Sequence, residues 1–140
     1  MLPVPVRDRA DAGPPCDWQR SALRKALRIG DRILVSGTTA THGAGTVVCP
    51  GDGAGQAVYI LDKIAASLSA LGASLDDVVR TRIYLRDPAQ WEGVSRVHGR
   101  YLGHIRPVNT LVGAALVGEY EVEIEAEAVV APSNVGSARA

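Results

Sequence analysis

Two stretches of the chain alternate apolar and polar residues with period two, and two others repeat apolar residues at helical spacing. Between residues 78 and 86, Val79, Thr81, Ile83 and Leu85 fall on one side and Arg80, Arg82, Tyr84 and Arg86 on the other. Residues 119–130 alternate more strictly. Glu119, Glu121, Glu123, Glu125 and Glu127 point one way, and Tyr120, Val122, Ile124, Ala126 and Ala128 the other. Each pattern predicts a strand with one buried face. Ala57, Leu61, Ile64, Leu68 and Leu71 recur at steps of four and three, the stripe of an amphipathic helix. Asp52 stands where an N-cap carboxylate can accept from first-turn amides, and Gly72 where a left-handed C-terminal residue is wanted. Beyond the Asp87-Pro88 break, Trp91, Val94, Val97, His98, Tyr101 and Leu102 form a second helical stripe, ended by Gly103.

The remaining elements are shorter. Residues 26–30 and 32–36, split by Gly30-Asp31, predict a hairpin. A Gly- and Thr-rich loop follows, through Pro50 and Gly51, and Pro107 opens a strand running to about Leu116. The order β-β-α-β-α-β-β predicts an α+β domain, one mixed sheet with two helices on one face. Four prolines and no periodicity in residues 1–16 predict a flexible N-terminal arm; the domain then runs over 17–131, with a flexible tail over 132–140. The other sheet face carries an Arg row and a Glu row. Cross-strand pairs there are worth about 0.2–1 kcal/mol each, so the face is either solvated or buried against another subunit.

Composition narrows the partners. The 140 residues, one domain's length, carry 15 Lys+Arg and 15 Asp+Glu. Zero net charge removes the electrostatic case for nucleic acid, and an absence of Phe with only two Trp and four Tyr removes the stacking case. No apolar run approaches the ~20 residues of a membrane span, and the N-terminus lacks the apolar core of a signal peptide, so no membrane partner and a cytoplasmic location are expected. Cys16 and Cys49 match no zinc or redox spacing and are expected as free thiols. His42, His98 and His104 show no metal-ligand spacing, so no metal is expected. The zero balance is also segregated: five of the six Glu lie on one face of the last strand, while six Arg fall between residues 80 and 106 beside only Asp87 and Glu92.

The stretches RIGDRILVSGTTA (Arg28 to Ala40), SALGASLDDVVRTRIYLRD (Ser69 to Asp87), IRPVNTLV (Ile105 to Val112) and YEVEIEAEAVV from Tyr120 agree in order and spacing with one known pattern. The chain resembles the reactive-intermediate deaminase family, also called Rid, YjgF or RidA-like. The resemblance implies a chorismate-mutase-like fold and a homotrimer with clefts between adjacent subunits. It also implies hydrolysis of small enamines and imines, made by pyridoxal-phosphate enzymes, to ketoacids and ammonia, with no metal and no organic cofactor. In such members an Arg following the Pro of a late strand clamps the substrate carboxylate, and a Glu of the last strand handles water and protons. That Glu falls on Glu123, and the Ser-Gly pair before the loop on Ser36 and Gly37. The family's Pro-Ala-Arg-Ser becomes Pro107-Val108-Asn109-Thr110, so Asn109 stands in place of the clamping Arg. Leu23 replaces an expected Tyr, and Ser95 and His98 replace an Asn and a Tyr. The chain therefore resembles a divergent branch that lacks the Arg.

Glu123 is the catalytic candidate, a general acid/base whose pKa burial can raise; its other reading is one member of a salt-bridged Glu row. The substrate-binding candidates are Ser36, Gly37, Thr38, Arg82, Tyr84, Asn109 and Leu111. Asn109 donates and accepts hydrogen bonds but cannot neutralise a carboxylate as Arg does, which points to a neutral substrate or to an anion held elsewhere. Arg82 either supplies that charge or pairs with a Glu. Gly37-Thr38-Thr39 offers amides and hydroxyls to a developing oxyanion, without the spacing or Lys of a phosphate loop. His98 reads as a packed or interface histidine, and Cys49 has no neighbouring base to make it a nucleophile. Two functions follow. One is a cofactor-independent enzyme acting on a small imine, enamine or carbonyl metabolite in intersubunit clefts. The other is a catalytically silent trimer that binds a metabolite or a partner protein. Ribonuclease action fits poorly with zero net charge and so few aromatics.

Overall fold

The computed structural model describes residues 25–131. The expected arm and tail, Cys16 and Leu23 lie outside the described residues. The elements are β1 (Ala26–Ile29), β2 (Arg32–Thr39), β3 (Thr41–His42), β4 (Thr46–Val47), α1 (Gly53–Ala70), β5 (Val78–Leu85), α2 (Trp91–Leu102), β6 (Val108–Gly113) and β7 (Val122–Val129). Five strands form one sheet in the order β1-β2-β7-β5-β6. All neighbours are antiparallel except β5 and β6, which are parallel and joined through α2. This is the α+β fold with a mixed sheet and two helices that the residue pattern predicts.

Local chemistry sets the boundaries. Gly30, at φ +60, makes the β1–β2 turn in a conformation glycine adopts without a Cβ penalty. The Asp52 side chain accepts from Gly55 N at 3.0 Å, starting α1 as expected. Gly72, at φ +83, follows the C-cap Leu71. Ser74 and Asp77 form a reciprocal capping box on the turn that leads into β5.

The core is a single layer between sheet and helices. Ile60, Leu61, Ile64 and Leu68 of α1 and Val94, Val97 and Leu102 of α2 pack against Ile33, Val35, Ile83, Leu85, Ile124 and Ala126. No fully buried side chain in this cluster is larger than Leu, Ile or Val; Tyr59 and Tyr101 pack against it only as partly buried residues.

Four details differ from the sequence expectation. A register shift between Val78 and Arg80 bulges β5, so Val78 takes the buried slot and Val79 is turned out, 42% exposed. Trp91 leaves the α2 stripe and is 51% exposed. The loop after β2 holds a small hairpin, β3–β4, clipped to α1 by Lys63 Nζ, which donates to the carbonyls of Thr39 at 3.0 Å and Thr41 at 3.2 Å. Finally, β6 ends at Gly113 and β7 begins at Val122, which puts Glu119 in the connecting loop and out of the Glu row. The Arg86 guanidinium gathers that loop, donating to the carbonyls of Tyr120 at 2.7 Å, Leu116 at 3.1 Å and Gly118. Among the described residues no helix is long and apolar enough to cross a membrane.

Candidate functional site

The sheet face away from the helices carries the two charged rows, and the register of β5 on β7 sets them opposite each other. Arg80 pairs with Glu127, Arg82 with Glu125 and Tyr84 with Glu123. Arg82 reaches Glu125 at 3.2 Å and Glu127 at 3.9 Å, and Arg32 reaches Glu127 at 3.5 Å. Tyr84 Oη donates to Glu125 at 2.9 Å, and this bond to a carboxylate raises the pKa of the phenol. A shallow groove of ≈ 480 Å³ opens on this face, lined by Leu27, Leu34, Ser36, Arg80, Arg82 and Glu125 among others. Glu121 completes the row, 3.9 Å from Arg86 and accepting from Gln90 Nε2 at 3.0 Å.

Glu123 alone breaks this pattern. Among the described residues its carboxylate has neither an ion-pair nor a hydrogen-bond partner, although the Glu before it and the two after it in the row are engaged. Burial raises its pKa above the ordinary carboxylate range, and the negative charge of Glu125 adds to the rise. The bulge that makes room for it is in β2. Val35 pairs with Ala126 but Thr38 with Ile124, so one extra residue is accommodated at Ser36-Gly37. The Glu123 carboxylate lies against the Gly37 backbone, in the space that a Cβ at position 37 would occupy. Gly37 thus leaves room for the close approach of a carboxylate that a Cβ there would displace.

The hydroxyls around this bulge are already committed as donors. Ser36 Oγ donates to Lys25 O at 3.0 Å and Thr38 Oγ1 to Ser36 O at 2.9 Å. Thr39 Oγ1 bonds Thr41 Oγ1 at 2.8 Å, and Thr41 Oγ1 donates to Tyr120 Oη at 2.6 Å. These hydroxyls spend their hydrogens on the backbone and on one another and so brace the bulge. Arg82 is likewise occupied, by its two glutamates.

Asn109 and Leu111 lie elsewhere. In the parallel register Asn109 stands beside Thr81 and Leu111 beside Ile83, both buried positions on the helix face. Thr81 Oγ1 donates to Asn109 Oδ1 at 2.9 Å and contacts His98 Nε2 of α2 at 2.8 Å. Leu111 packs against the core. Within one chain Asn109 and Glu123 therefore occupy opposite faces of the sheet and are not brought together. Burial lowers the pKa of His98, keeping its ring neutral.

Three polar residues not singled out in the sequence support the site from behind. Gln56, fully buried, donates from Nε2 to Cys49 O at 3.2 Å and accepts from Glu121 N at 2.8 Å; Gln90 Oε1 accepts from Gly53 N. Lys63, its pKa lowered to about 8 by burial and by Lys25, ties down the end of β2 that pairs with Glu123. The one signal for Gln56 and Lys63 is a polar residue inside or beside an apolar helical stripe. Cys49 is free and exposed. No group of three His, Cys, Asp or Glu among the described residues is arranged to hold a metal ion.

Residues 20–130 match the family model described as Endoribonuclease L-PSP. The chain belongs to the Rid/YjgF family. A Rid/YjgF relative from Mycobacterium tuberculosis, Rv2704, is 38% identical and superposes with a TM-score of 0.73, covering 84% of this chain and 96% of that one. A RutC family protein of Pyrococcus abyssi is 30% identical over 105 residues, 75% of this chain and 82% of its own. The 3-aminoacrylate deaminase RutC of Acinetobacter baylyi is 34% identical over 92 residues, 66% of this chain and 73% of its own.

Proposed function

We propose that the protein is a RidA-like, cofactor-independent cytoplasmic enzyme that hydrolyses a small imine or enamine to its carbonyl compound and ammonia, in clefts between the subunits of a homotrimer. The observation that carries this reading is Glu123, a half-buried carboxyl with a raised pKa and no partner beside it. A structural salt-bridge residue would have what Glu121, Glu125 and Glu127 have. The similarity to a protein named 3-aminoacrylate deaminase supports the reaction class. The opposite placement of Glu123 and Asn109 supports the oligomer, because only a second copy can bring an Asn109 edge to a Glu123 face.

The chemistry asks for one group that both gives and takes a proton near neutrality. Protonated Glu123 donates to the enamine carbon, giving the iminium. The resulting carboxylate takes a proton from water as its oxygen bonds to the iminium carbon. The carbinolamine nitrogen then receives that proton from Glu123, and ammonia leaves as the carbon–oxygen double bond forms and the hydroxyl proton returns to the carboxylate. One water is consumed and one ammonia released.

The test supplies imines of both charge types. 2-Aminoacrylate is generated from serine by a pyridoxal-phosphate dehydratase, and a neutral imine is released by diluting pyruvamide from concentrated ammonia. Carbonyl formation is followed with and without the full chain. Acceleration of either, reduced about 10²- to 10⁴-fold in Glu123→Gln, is the expected result. No acceleration with these or with bulkier imines leaves the metabolite-binding trimer as the better reading. Sedimentation equilibrium reads the trimer directly.

A further inference from the structure

The charged rows do not cancel completely. Arg32, Arg80 and Arg82 share the open face of the sheet with Glu123, Glu125 and Glu127. Arg32 and Arg82 pair with Glu125 and Glu127. Arg80 is half-buried and lines the groove, yet among the described residues it has neither an ion pair nor a hydrogen bond. One cation and one acid, Arg80 and Glu123, are left over. They are separated along the strands. Arg80 is level with Glu127, and Tyr84, level with Glu123, is four residues further along β5, about 13 Å. On β2 the groove lining ends at Ser36, next to the Gly37 backbone against which the Glu123 carboxyl lies. The β1–β2 side of the groove is apolar: Leu27 and Leu34 face each other across the two strands, and Leu34 is 37% exposed. A half-buried guanidinium without a partner has given up hydration with nothing in exchange, and a carboxylate on it supplies the missing charge-assisted bonds.

We infer that the groove takes an extended imino acid whose carboxylate is distant from its nitrogen, with the carboxylate on Arg80, the hydrocarbon chain along Leu27 and Leu34, and the nitrogen end at Glu123. This deepens the imine-hydrolase reading and rests on it for the imine. The spacing sets the length. A hydrogen bond of about 3 Å at each end leaves about 7 Å for the ligand, an extended chain of about six bonds between the carboxylate carbon and the carbon bearing nitrogen. A 2-imino acid, in which those carbons are directly bonded, reaches only one of the two groups.

Calorimetric titration of the full chain with stable amines tests this without turnover. The probes are 7-aminooctanoate, its methyl ester and alanine. The acid should bind about ten- to a hundredfold more tightly than the ester, the worth of a charge-assisted bond, and at least about tenfold more tightly than alanine. Arg80→Gln should make acid and ester equal, while Arg80→Lys, which keeps the charge, should keep the preference. Leu34→Ala should weaken acid and ester together, about fivefold, through lost apolar contact. Equal binding of acid and ester by the unaltered chain, alanine binding as tightly as the long acid, or a preference that survives Arg80→Gln overturns the inference. The comparison on the unaltered chain decides the matter even where a variant fails to fold. Glu123→Gln should keep the preference for acid over ester. A chain that discriminates but hydrolyses no imine therefore refutes the hydrolase reading alone, and hydrolysis of 2-aminoacrylate without discrimination refutes this inference alone.

Discussion

The two faces of the sheet use the same strands in opposite ways. On the helix face of β7, Val122, Ile124, Ala126 and Ala128 are at most 4% exposed and make one continuous apolar layer. On the other face the alternating positions, Glu123, Glu125 and Glu127, remain part-exposed; Glu125 and Glu127 are paired with arginines and Glu123 is not. One face holds the domain together, and the other carries the candidate site. The difference teaches where mutation should uncouple stability from function.

The largest expected effect is on the helix face. Ile124→Ala removes a fully buried side chain from the middle of the core and should cost about 2–5 kcal/mol, read from the midpoint of a urea titration. A loss below about 1 kcal/mol would mean that the apolar layer can collapse around the gap, and the contrast between faces would weaken. Next comes Gly37→Ala. Its Cβ meets the tip of a flexible side chain, not backbone, so unfolding should change by no more than about 1 kcal/mol. The same methyl displaces the Glu123 carboxyl, and the hydrolysis rate should fall about a hundredfold. Equal losses of stability and rate would place Gly37 with the core instead.

Glu123→Gln sharpens the contrast through pH. Burial raises the folded-state pKa above the ordinary 4.5, so native protein holds a proton that the unfolded chain releases first. Stability from the protonated form is full below about pH 4.5 and is lost as pH rises through the higher folded value. Gln does not ionise, so the stability of the variant relative to the parent should grow over that interval and then level off. A flat difference from pH 4 to 8 would mean that the carboxyl is solvated. The smallest effect belongs to the paired row. A double-mutant cycle on Arg82→Ala and Glu125→Ala should give a coupling of about 0.2–1 kcal/mol, decreasing with added salt.

Much of the helix face was legible in the sequence because burial writes a period: α1 and β7 could be placed from the spacing of Leu, Ile, Val and Ala alone. The bulges were not legible, because a one-residue insertion such as Val79 leaves the composition of the strand unchanged. The β3–β4 hairpin was invisible since two-residue strands have no period. In the site, Glu123 and Gly37 were singled out separately, but their contact depends on the β2–β7 register, which joins residues far apart in the chain. Asn109 illustrates the limit best. In β6, a mostly exposed edge strand, alternation is too faint to assign faces. Only the parallel pairing with β5 reveals that Asn109 answers to Thr81 and His98 and not to the glutamates.

The strand order has a consequence for how the molecule comes into being. β7 is the last of the described strands to be synthesised, yet it lies between β2 and β5 and hydrogen-bonds to both. Until it emerges, the sheet exists as two separate pieces, β1–β2 and β5–β6, each with an open edge able to pair with the wrong chain. Glu123 rides on this closing strand. During translation, the Glu123 carboxyl and the strand that completes the sheet arrive in the same event.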